Sequence, residues 1–313
     1  MSKMKSLVTG GAGFIGSHLV GSLLRENHEV LVVDNLITGK KENLDDLGSL
    51  VFIEKEIGSD EALSEIKKFN PDYCFHLAAQ SSVTVSVDNP NLDEEYNINQ
   101  PLKLIDVIKE TNCSRFLFTS SGGTIYGDPK NIPTKEDDFG SEPASPYGSS
   151  KKRLNMLIEQ SFNGTSIKYS ILNLANVYGP RQDPHGEAGV ISIFTRKMID
   201  GNNPTVYGTG KQTRDFVFVE DVVSAIHKCL LSEGNHNLNI GSGIETSVLE
   251  LVALIEQAIG NKCEINFEEA REGELLRSVL DSSLAKETIG WYSETLISEG
   301  ISEVISWIKN QRK

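Results

Sequence analysis

The sequence predicts an α/β fold, in which a doubly wound parallel sheet carries helices on both faces and a smaller α/β unit follows. Short apolar stretches alternate with amphipathic stretches from the N-terminus to about residue 174, which is typical of repeated strand–helix units. A glycine-rich loop joins the first strand to the first helix. Past Asn176 the alternation is interrupted by Pro180 and Pro184, which indicates a second unit of different arrangement.

Each element of the first part follows from its residue pattern. Apolar runs predict buried strands, and apolar residues at helical spacing predict helices. The predicted strands span residues 6–9, 29–33, 51–54, 73–77, 115–120 and 168–172, and the predicted helices lie near residues 14–25, 61–69, 97–111 and 147–162. Ligands of such sheets bind beyond the carboxyl ends of the strands, so the residues that follow each strand are site candidates.

The C-terminal part predicts a second set of elements. Helices are predicted at residues 189–200, 221–231, 247–259 and 298–309, and short strands at 205–207, 216–219 and 263–267. We expect the 216–219 strand and the helix after it to return to the first domain. The first domain would then hold residues 1–175 plus about 213–240, and the second about 176–212 plus 241–313.

The loop after the first strand reads TGGAGFIGSHL over residues 9–19. Its glycines fit G-x-G-x-x-G and the related G-x-x-G-x-x-G, and they are Gly10, Gly11, Gly13 and Gly16. Such glycines allow a tight turn, close approach of the backbone to a pyrophosphate, and close packing of helix on strand. Phe14 and Ile15 follow in the first helical turn, whose free N–H groups favour an anion. The loop therefore predicts a dinucleotide site in a Rossmann fold.

The residue that ends the second strand indicates which dinucleotide binds. Asp34 lies about 20 residues beyond the glycine loop, the offset at which an acid binds the adenosine ribose hydroxyls. A carboxylate there repels a 2′-phosphate, and the neighbouring Asn35 offers no cation for one. NAD is therefore predicted rather than NADP.

Further candidates follow the third and fourth strands. Glu56 and Ile57 could contact an adenine, or they could form an ordinary loop; the sequence leaves both interpretations open. After the fourth strand, small residues would let the dinucleotide lie against the backbone, and the candidate cofactor contacts are Leu77, Ala78, Ala79 and Gln80. Ser82 follows as a candidate substrate contact, and Asn99 in the next predicted helix is a further cofactor candidate.

Acid–base chemistry is indicated after the fifth strand. The segment SSGGTIYG at residues 120–127 places hydroxyls and glycines at a strand end. Tyr147 and Lys151 lie four residues apart, hence on one face of a predicted helix. A nearby ammonium favours the phenolate and lowers the pKa of a tyrosine from about 10. The pair is therefore a candidate acid–base device.

Composition limits the classes of partner. The 313 residues carry a formal net charge of −14, which disfavours nucleic acid and acidic membrane surfaces. No apolar run is long enough to span a bilayer, and the first strand begins too near the N-terminus to leave room for a signal peptide. The cysteines and histidines show no ligand-like spacing, so we expect no metal site, and free thiols in a reducing cytoplasm.

Several motifs together identify a family resemblance over nearly the whole chain. They are TGGAGFIGSHL, VVDNL (32–36), HLAAQ (76–80), SSGGTIYGD (120–128), PYGSSK (146–151), NVYGPRQ (176–182), RDFVFVEDV (214–222) and NIGSG (239–243). The chain resembles the extended short-chain dehydrogenases/reductases, and among them the UDP-glucose 4-epimerase branch of the nucleotide-sugar epimerases. The resemblance implies NAD as cofactor, a UDP-sugar as substrate, a C-terminal α/β substrate domain, and a homodimer.

The resemblance also implies a mechanism. Tyr147, held as phenolate by Lys151 and the nicotinamide charge, removes the proton of the sugar 4-hydroxyl while hydride passes from C4 to NAD. The 4-keto sugar turns its other face, and hydride and proton return. A hydroxyl side chain should assist Tyr147. The loop after the fifth strand is one residue longer than in many relatives, which leaves Ser121 as the first candidate and Thr124 as the second. Both residues, and Tyr147 itself, would also contact the sugar.

The same resemblance assigns contacts to the nucleotide half of the sugar donor. Arg214 and Arg271 would meet the diphosphate, although the segment REGE at residues 271–274 departs from the RPGD that is usual in the family. Glu274 would accept from the ribose hydroxyls, and Ser278 would line the pocket beside the sugar 2-substituent. The other implied substrate contacts are Asn176, Val190 and Tyr207.

Two rival functions and the expected dimer complete the predictions. A 4,6-dehydratase or decarboxylase of the same family would carry an acid just before the VYG-type segment, where this chain has Gly122, Gly123 and Thr124. A catalytically silent binding protein would not need Tyr147 and Lys151.

The dimer is expected to pair the helices at 97–111 and 147–162 through apolar residues, some of which must face their own sheet: Ile98, Leu102, Ile105, Leu154 and Ile158.

Overall fold

The computed structural model describes residues 3–45, 47–184, 189–270 and 275–311. Its strands are β1 (Lys5–Thr9), β2 (Glu29–Asp34), β3 (Val51–Glu54), β4 (Tyr73–His76), β5 (Arg115–Ser121), β6 (Lys168–Leu174), β7 (Asn176–Tyr178), β8 (Thr205–Tyr207), β9 (Thr213–Phe218), β10 (His236–Ile240), β11 (Glu245–Ser247), β12 (Asn266–Glu268) and β13 (Arg277–Ser278). Its α-helices are α1 (Phe14–Arg25), α2 (Asp60–Phe69), α3 (Val83–Asp88), α4 (Pro90–Glu94), α5 (Gln100–Ile108), α6 (Pro146–Phe162), α7 (Val190–Ile199), α8 (Val219–Leu231), α9 (Val248–Ile259), α10 (Ser283–Ile289) and α11 (Ile297–Asn310).

Seven of the described strands form one parallel sheet in the order β3-β2-β1-β4-β5-β6-β10. The chain order reverses between β1 and β4, which pair in parallel with Thr9 beside His76. This confirms the predicted doubly wound fold, and it places a ligand crevice at the carboxyl ends of β1 and β4.

The strands are apolar because helices cover both faces of the sheet. Val8 and Val32 point to the face on which α1 and α8 pack. Leu7 and Leu31, their neighbours in sequence, point to the face covered by α2, α5 and α6. Side chains alternate between faces along a strand, so a strand buried on both sides reads as a continuous apolar run.

The C-terminal part differs from the prediction at one strand. The segment predicted at 216–219 belongs to β9, which pairs with β7, β11 and β13 rather than with the large sheet. Phe216 and Phe218 pack against Tyr178 in a separate core formed with α7, α9 and α11. The later elements that return to the first domain are α8, β10 and α10, because β10 pairs with β6 at the sheet edge and Ala285 of α10 is buried in the core that α8 and β10 share.

The helix predicted at 97–111 is interrupted in the structure. The short helices α3 and α4 lead into a π-helical turn, Glu95–Asn99, and α5 follows with Pro101 in its first turn. Four of the apolar residues expected at a dimer seam are buried in the core of the single chain, and they are Ile98, Ile105, Leu154 and Ile158. The expectation that some of the five residues face their own sheet is confirmed for these four, and the pairing of the two helices stays a prediction.

Three findings bear on membranes, metals and thiols. No helix in the described part of the chain is long and apolar enough to cross a membrane. A search of the same residues finds no group of three or more His, Cys, Asp or Glu side chains that could hold a metal ion. Cys74, Cys113 and Cys229 are buried free thiols, and Cys263 is a partly buried one.

Candidate active site

Several of the predicted cofactor and catalytic residues lie where β1, β2, β4 and β5 end. The N–H of Leu77 donates to the carbonyl of Thr9 at 3.1 Å, which ties the loop after β4 to the end of β1. The N–H of Gly10 donates to the carbonyl of Val33 at 2.9 Å and links the glycine loop to β2. Helix α6 reaches the same edge, since Nζ of Lys151 donates to the carbonyl of Thr119 at 3.2 Å.

The glycine loop packs closely against the backbone around it. Gly10 has a φ of +70°, and a Cβ there would lie 2.6 Å from the backbone nitrogen of Ala78. A Cβ at Gly16 would lie 2.1 Å from the carbonyl oxygen of Gly10, so only glycine lets α1 pack on the loop. Gly13 is the N-cap of α1, and no side chain of the described residues caps that helix. The first turn, with Phe14 and Ile15, therefore offers its N–H groups to an anion.

Asp34 is a buried carboxylate at the end of β2. It accepts hydrogen bonds from the N–H of Ala12 at 3.0 Å and the N–H of Leu36 at 2.8 Å. Burial raises the pKa of this carboxyl, and the two backbone hydrogen bonds oppose that rise. Asn35 follows, with its side-chain oxygen accepting from the N–H of Ile37. Asp34 thus fits the predicted ribose contact, and it also holds the glycine loop at Ala12.

The residues after β3 have structural partners. Glu56 is exposed, and its two carboxylate oxygens accept from the hydroxyl of Tyr96 at 2.7 Å and from Nε2 of Gln100 at 3.0 Å. Ile57 is buried in the core with Val33. These contacts give both residues a packing role, and the adenine contact remains a prediction.

The loop after β4 is tied down by the side chain of Gln80. Its Nε2 donates to the carbonyl of Ser82 at 2.9 Å and to Oδ1 of Asp93 at 3.1 Å. Ala78 donates its N–H to Oγ1 of Thr9 at 3.4 Å, and Ala79 lies between these two anchors, partly buried. The Ser82 hydroxyl caps α3 by accepting from the N–H of Val85, so its predicted substrate contact would compete with that role.

Helix α6 presents the acid–base pair. Ser145 caps the helix by accepting from the N–H of Gly148, and Tyr147 follows in the first turn. Lys151 is buried one turn later, with Nζ 4.5 Å from the ring centroid of Phe118 and 5.9 Å from that of Tyr147. The predicted pairing of Tyr147 with Lys151 is present in the structure.

The two candidate hydroxyls have different partners. Ser121 acts on the phenol of Tyr147, whose pKa it lowers. The Thr124 hydroxyl donates to the carbonyl of Ser121 at 3.3 Å. The choice of Ser121 over Thr124 as the residue that assists Tyr147 remains a prediction.

The electrostatics of the pair differ from the expectation. Burial raises the pKa of Tyr147 to about 12, with the charge of Asp93 adding to the rise and the hydrogen bond from Ser121 opposing it. Burial lowers the pKa of Lys151 to about 7, and the charge of Asp93 opposes that fall. Burial is therefore the largest cause of both shifts, and the predicted lowering by Lys151 is not among the causes that set the pKa of Tyr147.

Sequence reasoning missed two buried residues, Asp93 and Asn97. Asn99 is exposed and donates to Oε2 of Glu95 at 2.9 Å, and its contact with the cofactor remains a prediction. Asn97 is buried and donates to the carbonyl of Gln80 at 2.9 Å and to Asp93 at 2.8 Å. The spacing of Asp93 and Asn97, one helical turn apart, was the available signal.

The structure brings some of the predicted substrate contacts together. Arg214 on β9 lies opposite Ser278 on β13, and its guanidinium donates to the carbonyls of Thr213 and Leu275, each at 2.8 Å. Asn176 on β7 donates to the carbonyl of Asp215 at 3.2 Å.

The remaining predicted contacts are spread over the C-terminal part. Val190 begins α7 and Tyr207 ends β8, and both are partly buried. The predicted diphosphate and ribose contacts at Arg271 and Glu274 lie outside the described residues. Their roles remain predictions.

Known proteins share this sequence and fold over the whole chain. The UDP-glucose 4-epimerase of Mycolicibacterium smegmatis is 39% identical over 312 residues, which cover 98% of this chain and 99% of that protein. A UDP-glucose 4-epimerase from Thermotoga maritima, solved with UDP-glucose, has 40% identity and a TM-score of 0.95, over 99% of this chain and 100% of that one. A UDP-N-acetylglucosamine 4-epimerase from Methanobrevibacter ruminantium M1, solved with UDP-N-acetylmuramic acid, has 31% identity and a TM-score of 0.93, over 99% and 100% of the two chains.

A family model covers the residues that build the cleft. The model described as NAD dependent epimerase/dehydratase family matches residues 6–241, a span that includes Gly10, Asp34, Ser121, Tyr147 and Lys151. NAD as cofactor agrees with the glycine loop and with the acid at the end of β2. The chain belongs to the NAD-dependent epimerase/dehydratase family.

Proposed function

We propose that this protein is an NAD-dependent 4-epimerase of UDP-hexoses, which interconverts UDP-glucose and UDP-galactose through a transient 4-keto sugar. The observation that carries the proposal is the pair on α6, in which Lys151 is buried one turn after Tyr147 with its Nζ 5.9 Å from the centroid of the phenol ring. Two relatives with about 40% identity over nearly the whole chain are UDP-glucose 4-epimerases, which supports the same substrate class.

Each side chain has a stated task in the reaction. Tyr147 takes the proton of the sugar 4-hydroxyl and returns it to the 4-keto oxygen after the sugar has turned. Ser121 donates to the phenolate oxygen and stabilises it. Lys151 in its charged form favours the same phenolate. The glycine loop and Asp34 would hold NAD, which would supply the acceptor and donor for the hydride of C4.

The loop after β5 favours epimerisation over the dehydratase and decarboxylase alternatives. Gly122 is buried, and a Cβ there would lie 2.5 Å from Cδ1 of Leu280 and 3.0 Å from the carbonyl oxygen of Asn173. A carboxylate side chain therefore has no room at this position. Gly123 and Thr124 follow, so these three positions carry no acid to drive an elimination.

A product assay separates the three alternatives. The purified protein is incubated with UDP-galactose, UDP-glucuronic acid and NAD in separate reactions. UDP-glucose from UDP-galactose is the expected product. A 4-keto-6-deoxy sugar, carbon dioxide from UDP-glucuronic acid, or no turnover with any of these would contradict the proposal.

We also propose a division into two domains and a location. The NAD-binding domain holds residues 1–175 with α8, β10 and α10, and the nucleotide-sugar domain holds the rest, including β9. This moves the start of the returning segment from about residue 213 to Val219. The free thiols favour a reducing cytoplasm as the location.

The position of Ser278 predicts a roomy sugar pocket. By resemblance, a large aromatic residue at this position excludes an N-acetyl group, and Ser278 leaves that space open beside Arg214. We expect turnover of UDP-N-acetylglucosamine and UDP-N-acetylgalactosamine as well as of the plain hexoses. Ser278→Tyr should lower kcat/KM for the acetylated pair relative to the hexose pair by roughly 10- to 100-fold.

The control for Ser278→Tyr is Ser278→Ala, which removes the hydroxyl and keeps the space. Its kcat/KM ratio between the two substrate pairs should match that of wild type. Failure of wild type to turn over the acetylated sugars, or an unchanged ratio in Ser278→Tyr, would refute the assignment.

We propose a homodimer that pairs α5 and α6 of the two copies. Of the residues first expected at this seam, Leu102 is partly exposed. A further apolar residue on α6, Met156, is 52% exposed. Met156→Glu should lower the mass measured by light scattering at micromolar concentration from that of a dimer toward that of a monomer. Leu231→Glu is the control, since Leu231 is 88% exposed on α8 and should leave the dimer intact. A wild-type monomer would contradict the proposal.

A further inference from the structure

A buried carboxylate that the proposed mechanism does not use lies behind the acid–base pair. Asp93 on α4 is 2% exposed. Its Oδ1 accepts from Nδ2 of Asn97 at 2.8 Å and from Nε2 of Gln80 at 3.1 Å. A buried charge is costly unless hydrogen bonds or other charges compensate it, so its retention here needs a reason.

The hydrogen bonds of Asp93 continue to the helix turn that carries Tyr147. Asn97 accepts from the N–H of Gln80 at 3.1 Å and donates to its carbonyl at 2.9 Å, so the two residues clasp each other. Nδ2 of Asn97 also donates to Oγ of Ser150 at 3.4 Å, and Ser150 donates to the carbonyl of Tyr147 at 3.0 Å. The carboxylate thereby links the loop after β4, the π-helical turn and the start of α6.

The charge of Asp93 also reaches both members of the pair. It raises the pKa of Lys151 against the effect of burial. It raises the pKa of Tyr147 in the same direction as burial. From β4, His76 faces Lys151, but burial lowers the pKa of His76 to about 3, so it stays neutral. From β5 the neighbours of Lys151 are uncharged, namely the ring of Phe118 and the carbonyl of Thr119.

We propose that Asp93 is a positioning residue for the Tyr147–Lys151 pair: it clasps Gln80 and Asn97 against α6 and supplies a negative charge beside the pair. The catalytic part of this inference rests on the proposed epimerase function. The charge part concerns the protein itself and does not depend on the substrate.

The sign of the effect follows from electrostatics. In the active form, Tyr147 has lost its proton and Lys151 has kept its own. A negative charge near both groups makes each proton harder to lose, so it raises both apparent pKa values of the pair. Removing that charge should move both limbs of the pH profile of kcat to lower pH, by about one unit for one nearby charge.

The test compares Asp93→Asn with wild type and with Asp221→Asn. Asp221 is a buried carboxylate on α8 that accepts from Ser293 and Thr295, so the control removes a similar charge elsewhere. We expect the kcat profile of Asp93→Asn to shift downward by about one unit, and that of Asp221→Asn to match wild type. If Asp93→Asn does not fold, Asp93→Ser removes the same charge from a smaller side chain.

A second readout does not need turnover. Ultraviolet difference titration of the phenolate, against Tyr147→Phe in the same background, reports the pKa of Tyr147 in the NAD-bound protein. That pKa should fall in Asp93→Asn. An unshifted tyrosine titration would overturn the inference whatever the activity, whereas lack of epimerase activity in wild type, with a shifted titration, would overturn only the proposed function.

Discussion

Replacing Tyr147 with phenylalanine should lower kcat with UDP-galactose by at least about 100-fold, because loss of a general base costs roughly 10²- to 10⁴-fold. The ring remains to pack beside Lys151, whose Nζ lies 5.9 Å from its centroid. Only the hydroxyl is lost. NAD content and the temperature of unfolding should therefore stay close to those of wild type.

The matched control is Tyr292→Phe, which removes a phenol hydroxyl from a side chain that is 54% exposed near the C-terminus. Its kcat should equal that of wild type. Activity of Tyr147→Phe within tenfold of wild type would show that another group moves the proton.

Asp34→Ala should weaken NAD binding by roughly 10- to 100-fold, because hydrogen bonds to a charged group contribute about 1.5–3 kcal/mol. The variant loses the predicted contact with the ribose hydroxyls, and it leaves the N–H groups of Ala12 and Leu36 without their acceptor. It also removes the charge that repels a 2′-phosphate, so the preference for NAD over NADP should narrow. Binding titrations with both cofactors measure the two effects.

Asp34→Asn separates the charge from the hydrogen bonds. Its amide oxygen can still accept from the backbone of the glycine loop, whereas the negative charge is gone. We expect this variant to lose its preference for NAD over NADP. Its affinity for NAD should fall less than that of Asp34→Ala. An unchanged preference in both variants would mean that Asp34 does not contact the ribose.

The parts of the site that could be predicted are those with local signals. The glycine loop, Asp34 at a strand end, and the pair Tyr147 and Lys151 on one helix face each follow from spacing within a few residues. The doubly wound sheet follows from the alternation of apolar strands and helices. These elements could be predicted because their residues are close together both in the sequence and in the structure.

The burial of Asn97 could not be predicted from helical spacing. The π-helical turn Glu95–Asn99 departs from the usual spacing just before α5, and π-helical turns are rare. Within this turn Asn97 is buried against Gln80 and Asp93, whereas Asn99 is exposed.

Other features depend on contacts between distant segments. The pairing of β9 with β7, β11 and β13 joins segments from both sides of α8, and no local pattern distinguishes it from pairing with the large sheet. The burial of Asp93 arises from the loop after β4 and from α6, which lie on either side of it in the sequence. An acid in a polar stretch is normally expected at the surface.

The most direct test of the central claim follows the hydrogen at C4. The protein is incubated in ordinary water with UDP-galactose that carries deuterium at C4 of the sugar, and the product is analysed by mass spectrometry and NMR. If the hydride leaves C4 and returns to the opposite face within one closed site, the UDP-glucose formed should keep the deuterium at C4. Loss of the label to solvent, or a product other than UDP-glucose, would contradict the account.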